Sequence, residues 1–467
     1  MGHLNRRQFL SASAAATGAL LLSQPLNALA EPLLSSVSTG ADRASRLFSG
    51  TRLAHADLHN HSLASDGDGD PALAFATMRS HGLDIAALTD HATTSKFAKP
   101  PCGENKDCHG VLGIDEASWQ RAGALADEAQ ADGAFTAIRG FEWSSPTLGH
   151  VNVWFSSTWV DPLHTAGIST GEGIGQHLQQ GFEFIPPMAV GGPQVDAAVG
   201  QSPSNGATMR PFYEWLNAPA DTPAIGGGED AIAGFNHPGR EPGRFGYFAY
   251  DERLRPRIVS MEMFNRKEDY LFEGTEVGQP SPLVQCLNAG WRVGLIGVTD
   301  EHGTNWGSDP SKGRAGIWVP ELTRAGVRQA MLSRHFFATN TEGLRVDAAA
   351  TSAGRKARMG DTLQVRPGQT RFELDIDRGA DWVGKTLLVQ VLTSGDLMPT
   401  VAHVEQITVP SASQPVVSFT ADVGEAPWAV LRVTDPAEPA DKRATGAFTE
   451  YGKAIAYASP FYFEPKA

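Results

Sequence analysis

The chain has 467 residues, 41% hydrophobic and 19% charged, which suits a globular protein with a real core and excludes disorder or a coiled coil. A formal charge of -14 excludes non-specific nucleic-acid binding, because phosphates repel an acidic surface. The length suits two domains, or one large barrel with an accessory unit.

Residues 1–30 read as a targeting segment. Asn5-Arg6-Arg7-Gln8-Phe9-Leu10 precedes an uncharged stretch from Ser11 to Leu22, and Ala28-Leu29-Ala30 fits a cleavage site. The stretch is too short and too rich in Ala and Ser to span a membrane. The paired arginines followed by Phe-Leu resemble a twin-arginine signal, with an ordinary secretory signal as the alternative. Such a signal implies passage through the twin-arginine translocase to the periplasm or beyond. Its removal takes two arginines and no acid, moving the charge from -14 to -16.

Residues 31–50 form a polar linker. A strand is expected at His55-Ala-Asp-Leu-His, then a helix over 71–81 with Leu73, Phe75, Ala76 and Met78 as core, stopped by Gly82. A buried strand at Asp84-Ile-Ala-Ala-Leu-Thr-Asp follows, and this strand–helix–strand order argues for parallel pairing. Cys102 and Cys108 share one polar loop and are expected to pair in an oxidising compartment. Two free thiols, or a weak metal site with His109, are the alternatives. A helix over 115–131 leads to strands at 136–142, 150–155, 232–237, 258–263 and 293–300. A helix over 282–289, carrying a core Cys286, precedes the last of them. Residues 156–210 are rich in Gly, Pro and Ser and read as a lid or binding insertion. The first domain therefore runs over 51–345. Alternating strands without a long helix make 346–467 a smaller β-sandwich domain.

Metal-ligating residue types gather at the strand ends of the first domain: His59 and His61, Asp90 and His91, Glu142, His150, His237, Asp300 and His302. In a parallel barrel that end is the active face. His-x-His places two imidazoles on one side, able to grip one ion, and Asp300-x-His302 does the same with mixed ligands. Glu142 can bridge two ions, and Asp66 can reach in from the Ser65-Asp-Gly turn. Asp68 and Asp70 are expected to face solvent, and His81, His109, His164, His177, His335 and His403 read as ordinary core or surface residues.

The ordered motifs Asp57-Leu-His-Asn-His-Ser, Ser65-Asp-Gly, Leu88-Thr-Asp-His, Gly140-Phe-Glu, Gly149-His, Phe235-Asn-His-Pro and Val298-Thr-Asp-Glu-His resemble the polymerase and histidinol phosphatase (PHP) superfamily over residues 51–345. The resemblance implies an α/β fold, a distorted seven-stranded β/α barrel with up to three divalent ions, Zn, Mn or Fe. It places one ion on His59, His61, Glu142 and Asp300, a second on Glu142, His150 and His237, and a third on Asp66, His91 and His302. Many members have histidine where this chain has Asp66, which makes the third set unusual. Metal coordination makes hydroxide available near neutral pH, so a hydroxide bridging the two Glu142-linked ions is the expected nucleophile, with Asp300 accepting its proton, Asp66 serving the leaving group through the third ion, and Arg240 steadying the substrate. The stretch from Ala315-Gly-Ile-Trp-Val to Ser333-Arg-His-Phe-Phe-Ala-Thr-Asn is similar to secreted members with an appended β-domain, carbaryl hydrolases among them.

Two small-molecule ester classes follow. A phosphate ester needs cations around its non-bridging oxygens, for which Arg240, Arg244 and Arg266 are candidates. An aryl carbamate or carboxylic ester needs an apolar pocket, for which Trp143, Trp154, Phe212, Tyr213, Trp215, Tyr247, Phe248 and Trp306 are candidates, or core residues instead. No Gly-x-Ser-x-Gly motif with a partner supports a serine hydrolase. A non-catalytic exported protein binding metal or glycan is the third reading.

Overall fold

The computed structural model describes residues 43–92, 113–145, 148–160, 208–223, 226–241, 243–366, 368–409 and 416–464. The expected signal, the Cys102–Cys108 loop with His109, and most of the 156–210 insertion, including His164 and His177, lie outside these residues. No helix among the described residues is long and apolar enough to cross a membrane.

The first half alternates short strands and helices: β1 (Arg52–Asp57), α1 (Pro71–Ser80), β2 (Ile85–Leu88), β3 (His91–Ala92), α2 (Glu116–Ala129), β4 (Thr136–Ser145) and β5 (Gly149–Trp154). Then come α3 (Arg210–Asn217), β6 (Ile232–Phe235), α4 (Arg244–Phe248), β7 (Ile258–Asn265), β8 (Glu268–Asp269), α5 (Pro282–Asn288), β9 (Gly294–Val298), β10 (Arg314–Val319), α6 (Arg324–Leu332) and β11 (Phe336–Thr339). Local chemistry sets the helix starts. Asp70 caps α1 by accepting from the Ala72 amide, with Pro71 in the first turn, and Asp115 and Ser118 form a capping box on α2. Pro71, Ala74, Phe75 and Met78 make the buried stripe of α1. Leu73 and Ala76, expected in the core, face solvent because they fall outside that i, i+3, i+4, i+7 stripe.

β1 pairs parallel with β2, and β2 with β4, as the strand–helix–strand order requires. The expected parallel barrel is then broken in two ways. Only three residues separate β4 from β5, too few for a crossover, so that pair is antiparallel, as is β5 with β6; parallel pairing resumes from β6 to β7 and β7 to β9. The circle also stays open. β1 has β2 on one edge and antiparallel β10 on the other, leaving no free edge for β9. The two ends meet only at a single bridge, Asn60 with Glu301, braced by the Asp57 carboxylate accepting from the Thr299 amide at 3.1 Å.

The second half is β12 (Arg345–Ser352), β13 (Arg355–Arg358), β14 (Thr362–Leu363), β15 (Gln369–Asp377), β16 (Thr386–Thr393), β17 (Thr400–Thr408), β18 (Val417–Asp422), β19 (Trp428–Asp435), β20 (Lys453–Ala458) and β21 (Phe461–Phe463). The order β13-β12-β15-β18 makes one layer. The other layer is not a separate sheet: β11 pairs with β20, which carries the first half's ladder on through β19, β16 and β17. One apolar core joins Leu53, Trp318 and Phe337 of the first half to Phe372, Val389 and Leu431 of the second. The expected sandwich is two-layered yet fused to the large sheet, because β11 offers β20 an edge that would otherwise be left unpaired.

His55 lies on β1 with a buried Nδ1 that has no hydrogen-bond partner. Burial, opposed by Asp84 and assisted by Arg43 and Arg314, pushes its pKa down to about 4. A folded value below the unfolded one near 6.5 gives stability that is full above about 6.5 and lost as pH falls toward 4. Acidification from neutral to the lower value should therefore cost the wild type about 3 kcal/mol more than His55→Gln. Urea midpoints of the two proteins across that range measure the difference.

Candidate metal centre

His59 and His61 follow β1 directly, and their Nε2 atoms lie 3.1 Å apart. His91 on β3 is the register partner of Glu142 on β4. His150 enters on the antiparallel β5, opposite Ser144, so the start of that strand shares a rim with the ends of the parallel ones. His237 and Asp300 follow β6 and β9 with φ of 24° and 47°, and Arg266 follows β7 with φ of 55°. Left-handed backbone costs a non-glycine residue roughly 1–3 kcal/mol, so three strained residues in one place mark a site the surrounding fold holds in position.

Glu142, 1% exposed, is the hub. Its Oε1 lies 3.2 Å from His59 Nε2, His150 Nδ1 and His237 Nε2, and accepts from Asn236 Nδ2 at 2.8 Å. Its Oε2 lies 2.6 Å from His91 Nδ1 and 3.6 Å from His61 Nε2. Burial opposes its ionisation, but His150, His59 and His91 overcome that and hold the carboxyl well below its usual range. Asp300 turns Oδ1 to His61 Nε2 at 3.3 Å and to His59 Nε2 at 3.6 Å. Asp66 Oδ1 lies 3.5 Å from His91 Nε2 and 3.4 Å from His302 Nε2. Burial, with His302 and His91 alongside, pushes His61 down to about 3, leaving a neutral imidazole with a lone pair to give.

All nine expected ligands thus converge. Eight of them, with Glu241, form four groups whose donor atoms lie within 4.8 Å of one another: His61, Asp66, His91 and His302; His59, His61 and Glu142; His91, Glu142 and His150; His150, His237 and Glu241. Asp300 joins through His61, 3.3 Å away. Ligands about 2.1 Å from a divalent ion stand roughly 3.0–3.4 Å apart, which is the spacing most of these pairs show. Two buried imidazole nitrogens at 3.1 Å, His59 with His61, make sense as two ligands of one ion. The donor set is that of a divalent-metal centre.

Several residues at the centre escape a reading of strand ends. Glu262, buried in β7, accepts at Oε1 from His59 Nδ1 at 2.8 Å and at Oε2 from the His237 amide at 2.7 Å. A lone acid inside the apolar run Ile258-Val-Ser-Met-Glu-Met was its signal. Glu241 sits beside His150 and His237. Asp90 turns away from the histidines and accepts from Ser62 and Ser65, fixing the turn that carries Asp66. That turn needs Gly69, whose Cβ would strike Trp306 at 2.1 Å.

Arg240 and Arg266 reach Asp300 Oδ2 at 3.3 and 3.4 Å. Arg244 does not; it is buried and donates to the carbonyls of Pro280 and Glu273. Trp143, Trp154, Phe212, Tyr213, Trp215, Phe248 and Trp306 are buried in the apolar core. His81 is exposed, and His335 and His403 pair with Asp361 and Glu405 away from the centre.

No protein-family profile and no curated protein matches the chain. Among solved structures, a two-domain protein from Bacteroides vulgatus containing a predicted PHP-like metal-dependent phosphoesterase aligns over 88% of this chain and 96% of its own, at 13% identity and a TM-score of 0.38. A protein from Bifidobacterium adolescentis designated a metal-dependent phosphoesterase aligns over 54% and 88%, at 15% identity and 0.27. An amidohydrolase from Chromobacterium violaceum with bound sulfate and no metal aligns over the same shares, at 17% and 0.26. With scores this low the likenesses constrain nothing further, and the assignment rests on the side chains above.

Glu262 fixes which nitrogen His59 turns inward. Glu262→Gln should therefore weaken metal binding by about 10–100-fold while the apo protein keeps its circular dichroism. Chelator competition on the purified protein measures it.

Proposed function

We propose that the chain is an exported, metal-dependent phosphoester hydrolase of the PHP type. One observation carries the reading: two guanidiniums, Arg240 and Arg266, converge on the outer oxygen of Asp300, whose inner oxygen faces the histidine cluster. A group entering between the cluster and the arginines would meet ions held by the cluster on one side and guanidinium donors on the other, as the non-bridging oxygens of a phosphate require. Divalent ions held by His59, His61, Glu142 and Asp300, by Glu142, His150 and His237, and by Asp66, His91 and His302 would supply Lewis acidity and a more acidic water.

The chain's own groups then have distinct tasks. Arg240 is held ready by Asn265 and Tyr270, at 3.2 and 3.3 Å, so it meets an anion with little loss of side-chain freedom. Arg266 also touches His302 Nδ1 at 3.2 Å and so links the anion position to the Asp66 set. Asp300 is the proton acceptor nearest to both. Asp66 and His302, the more exposed members, stand where a leaving group departs. Every described aromatic candidate but Tyr247 belongs to the core, so no observation favours the aryl carbamate reading.

Purified protein loaded with Zn or Mn should hydrolyse p-nitrophenyl phosphate or bis-p-nitrophenyl phosphate in preference to naphthyl carbamate. Glu142→Ala should abolish turnover, and Arg266→Ala should lower kcat/KM about 10²-fold, chiefly through KM. Faster cleavage of the carbamate would replace the phosphate reading. No turnover together with a full metal content would favour a binding protein. Export is tested separately: Arg6→Lys with Arg7→Lys should leave the precursor in the cytoplasm, and normal periplasmic yield would refute a twin-arginine route.

A further inference from the structure

The two imidazoles expected at the second ion each lie between two carboxylates. On the inner side, His150 Nδ1 and His237 Nε2 both face Glu142 Oε1 at 3.2 Å. On the outer side, His150 Nε2 faces Glu241 Oε1 at 3.7 Å and His237 Nδ1 faces Glu241 Oε2 at 3.4 Å. One carboxylate thus addresses two rings, one oxygen to each. The backbone is built to bring it there. Glu241 follows His237 by four residues through a turn closed by the Arg240 amide on the His237 carbonyl at 3.1 Å. Gly239 in that turn has φ of 108°, and a Cβ there would lie 2.7 Å from Glu273.

Two atoms in this arrangement are buried without a hydrogen bond: His237 Nδ1 and Glu241 Oε2. They face each other. An unsatisfied buried carboxylate oxygen is costly, and so is an unsatisfied imidazole nitrogen. Each lacks what the other offers, provided that Nδ1 carries the proton. A cation on Nε2 enforces that condition, because a ligating nitrogen gives its lone pair to the ion and the ring proton then sits on the other nitrogen. For His150 the nitrogens are exchanged: Nδ1 faces Glu142, and Nε2 stands 3.7 Å from Glu241 Oε1, an ion-pair contact that a small shift of either side chain would close to a hydrogen bond.

We infer that Glu241 is a positioning residue for the second ion: its two oxygens accept from the outer nitrogens of His150 and His237, fixing the tautomer and direction of both ligands at once. Glu262 does this for His59 alone, through Oε1. The inference rests on the metal reading of the centre.

The test uses the full mature chain, stripped with chelator and titrated with Zn²⁺ by calorimetry and chelator competition. Wild type should bind at least two ions. In Glu241→Gln one ion should bind about 10–100-fold more weakly and another should be unchanged, with the apo melting temperature preserved. A cycle with His237→Ala supplies a readout that a merely structural role would not move: with His237 removed, most of the cost of Glu241→Gln should disappear. Glu241→Asp, which keeps the charge at a shorter reach, should recover part of the affinity. Wild-type affinity at every ion in Glu241→Gln would overturn the inference, as would costs that simply add in the double variant or an apo Glu241→Gln that fails to fold. A wild type that binds no Zn²⁺ would instead overturn the metal centre itself, so the two failures are distinguishable.

Discussion

Five imidazoles face the two oxygens of one buried carboxylate, Glu142, and the rest of the molecule accommodates that fact. A carboxylate so far from water would ordinarily stay protonated. Here the histidines overcome the desolvation, and the cluster as a whole asks for cations to hold its lone pairs in place. Such a group cannot be assembled on one strand. It needs contributions from β1, β3, β4, β5, β6 and β9, all delivered to one rim.

The sheet meets that demand by departing from a regular barrel. Inverting β5 puts His150 at the start of its strand and still on the same rim as Glu142. Leaving the β1–β9 seam nearly unpaired lets Asp300 turn inward through left-handed backbone, with His302 two residues on, instead of continuing a ladder. Buried carboxylates tie the elements together around both departures. Asp57 braces the seam, Glu262 ties the end of β6 to the first histidine, and Asp90 holds the turn below Asp66.

The fused second half has a bearing on chemistry through one buried network. Asp269 accepts from the Tyr457 hydroxyl, at 2.9 and 2.8 Å to its two oxygens, and Arg432 donates to that hydroxyl and to Gln390. Asp269 precedes Tyr270, one of the groups that hold Arg240. The strands β16, β19 and β20 thereby fix the segment on which the Arg240 guanidinium rests. This gives the C-terminal strands a part in positioning that a separate sandwich would not have.

By itself the sequence determined the residue types and their order. Short-range rules suffice for the helices after Asp70 and near Asp115, for the parallel β1–β2 pair, and for the recognition that His59, His61, His91, His150, His237 and His302 all stand beside strand ends. Composition and local spacing express these directly. Only the tertiary structure decided that β5 runs antiparallel, that the ladder continues into β20 instead of closing, that Arg244 and the aromatic residues belong to the core, and that Glu241 and Glu262 stand behind the histidines. Each of those depends on which edge of a strand is free, or on which side chain meets another across scores of residues. Pairing edges and long-range contacts leave no periodic trace in the chain, whereas a metal-ligating side chain must be written in it residue by residue.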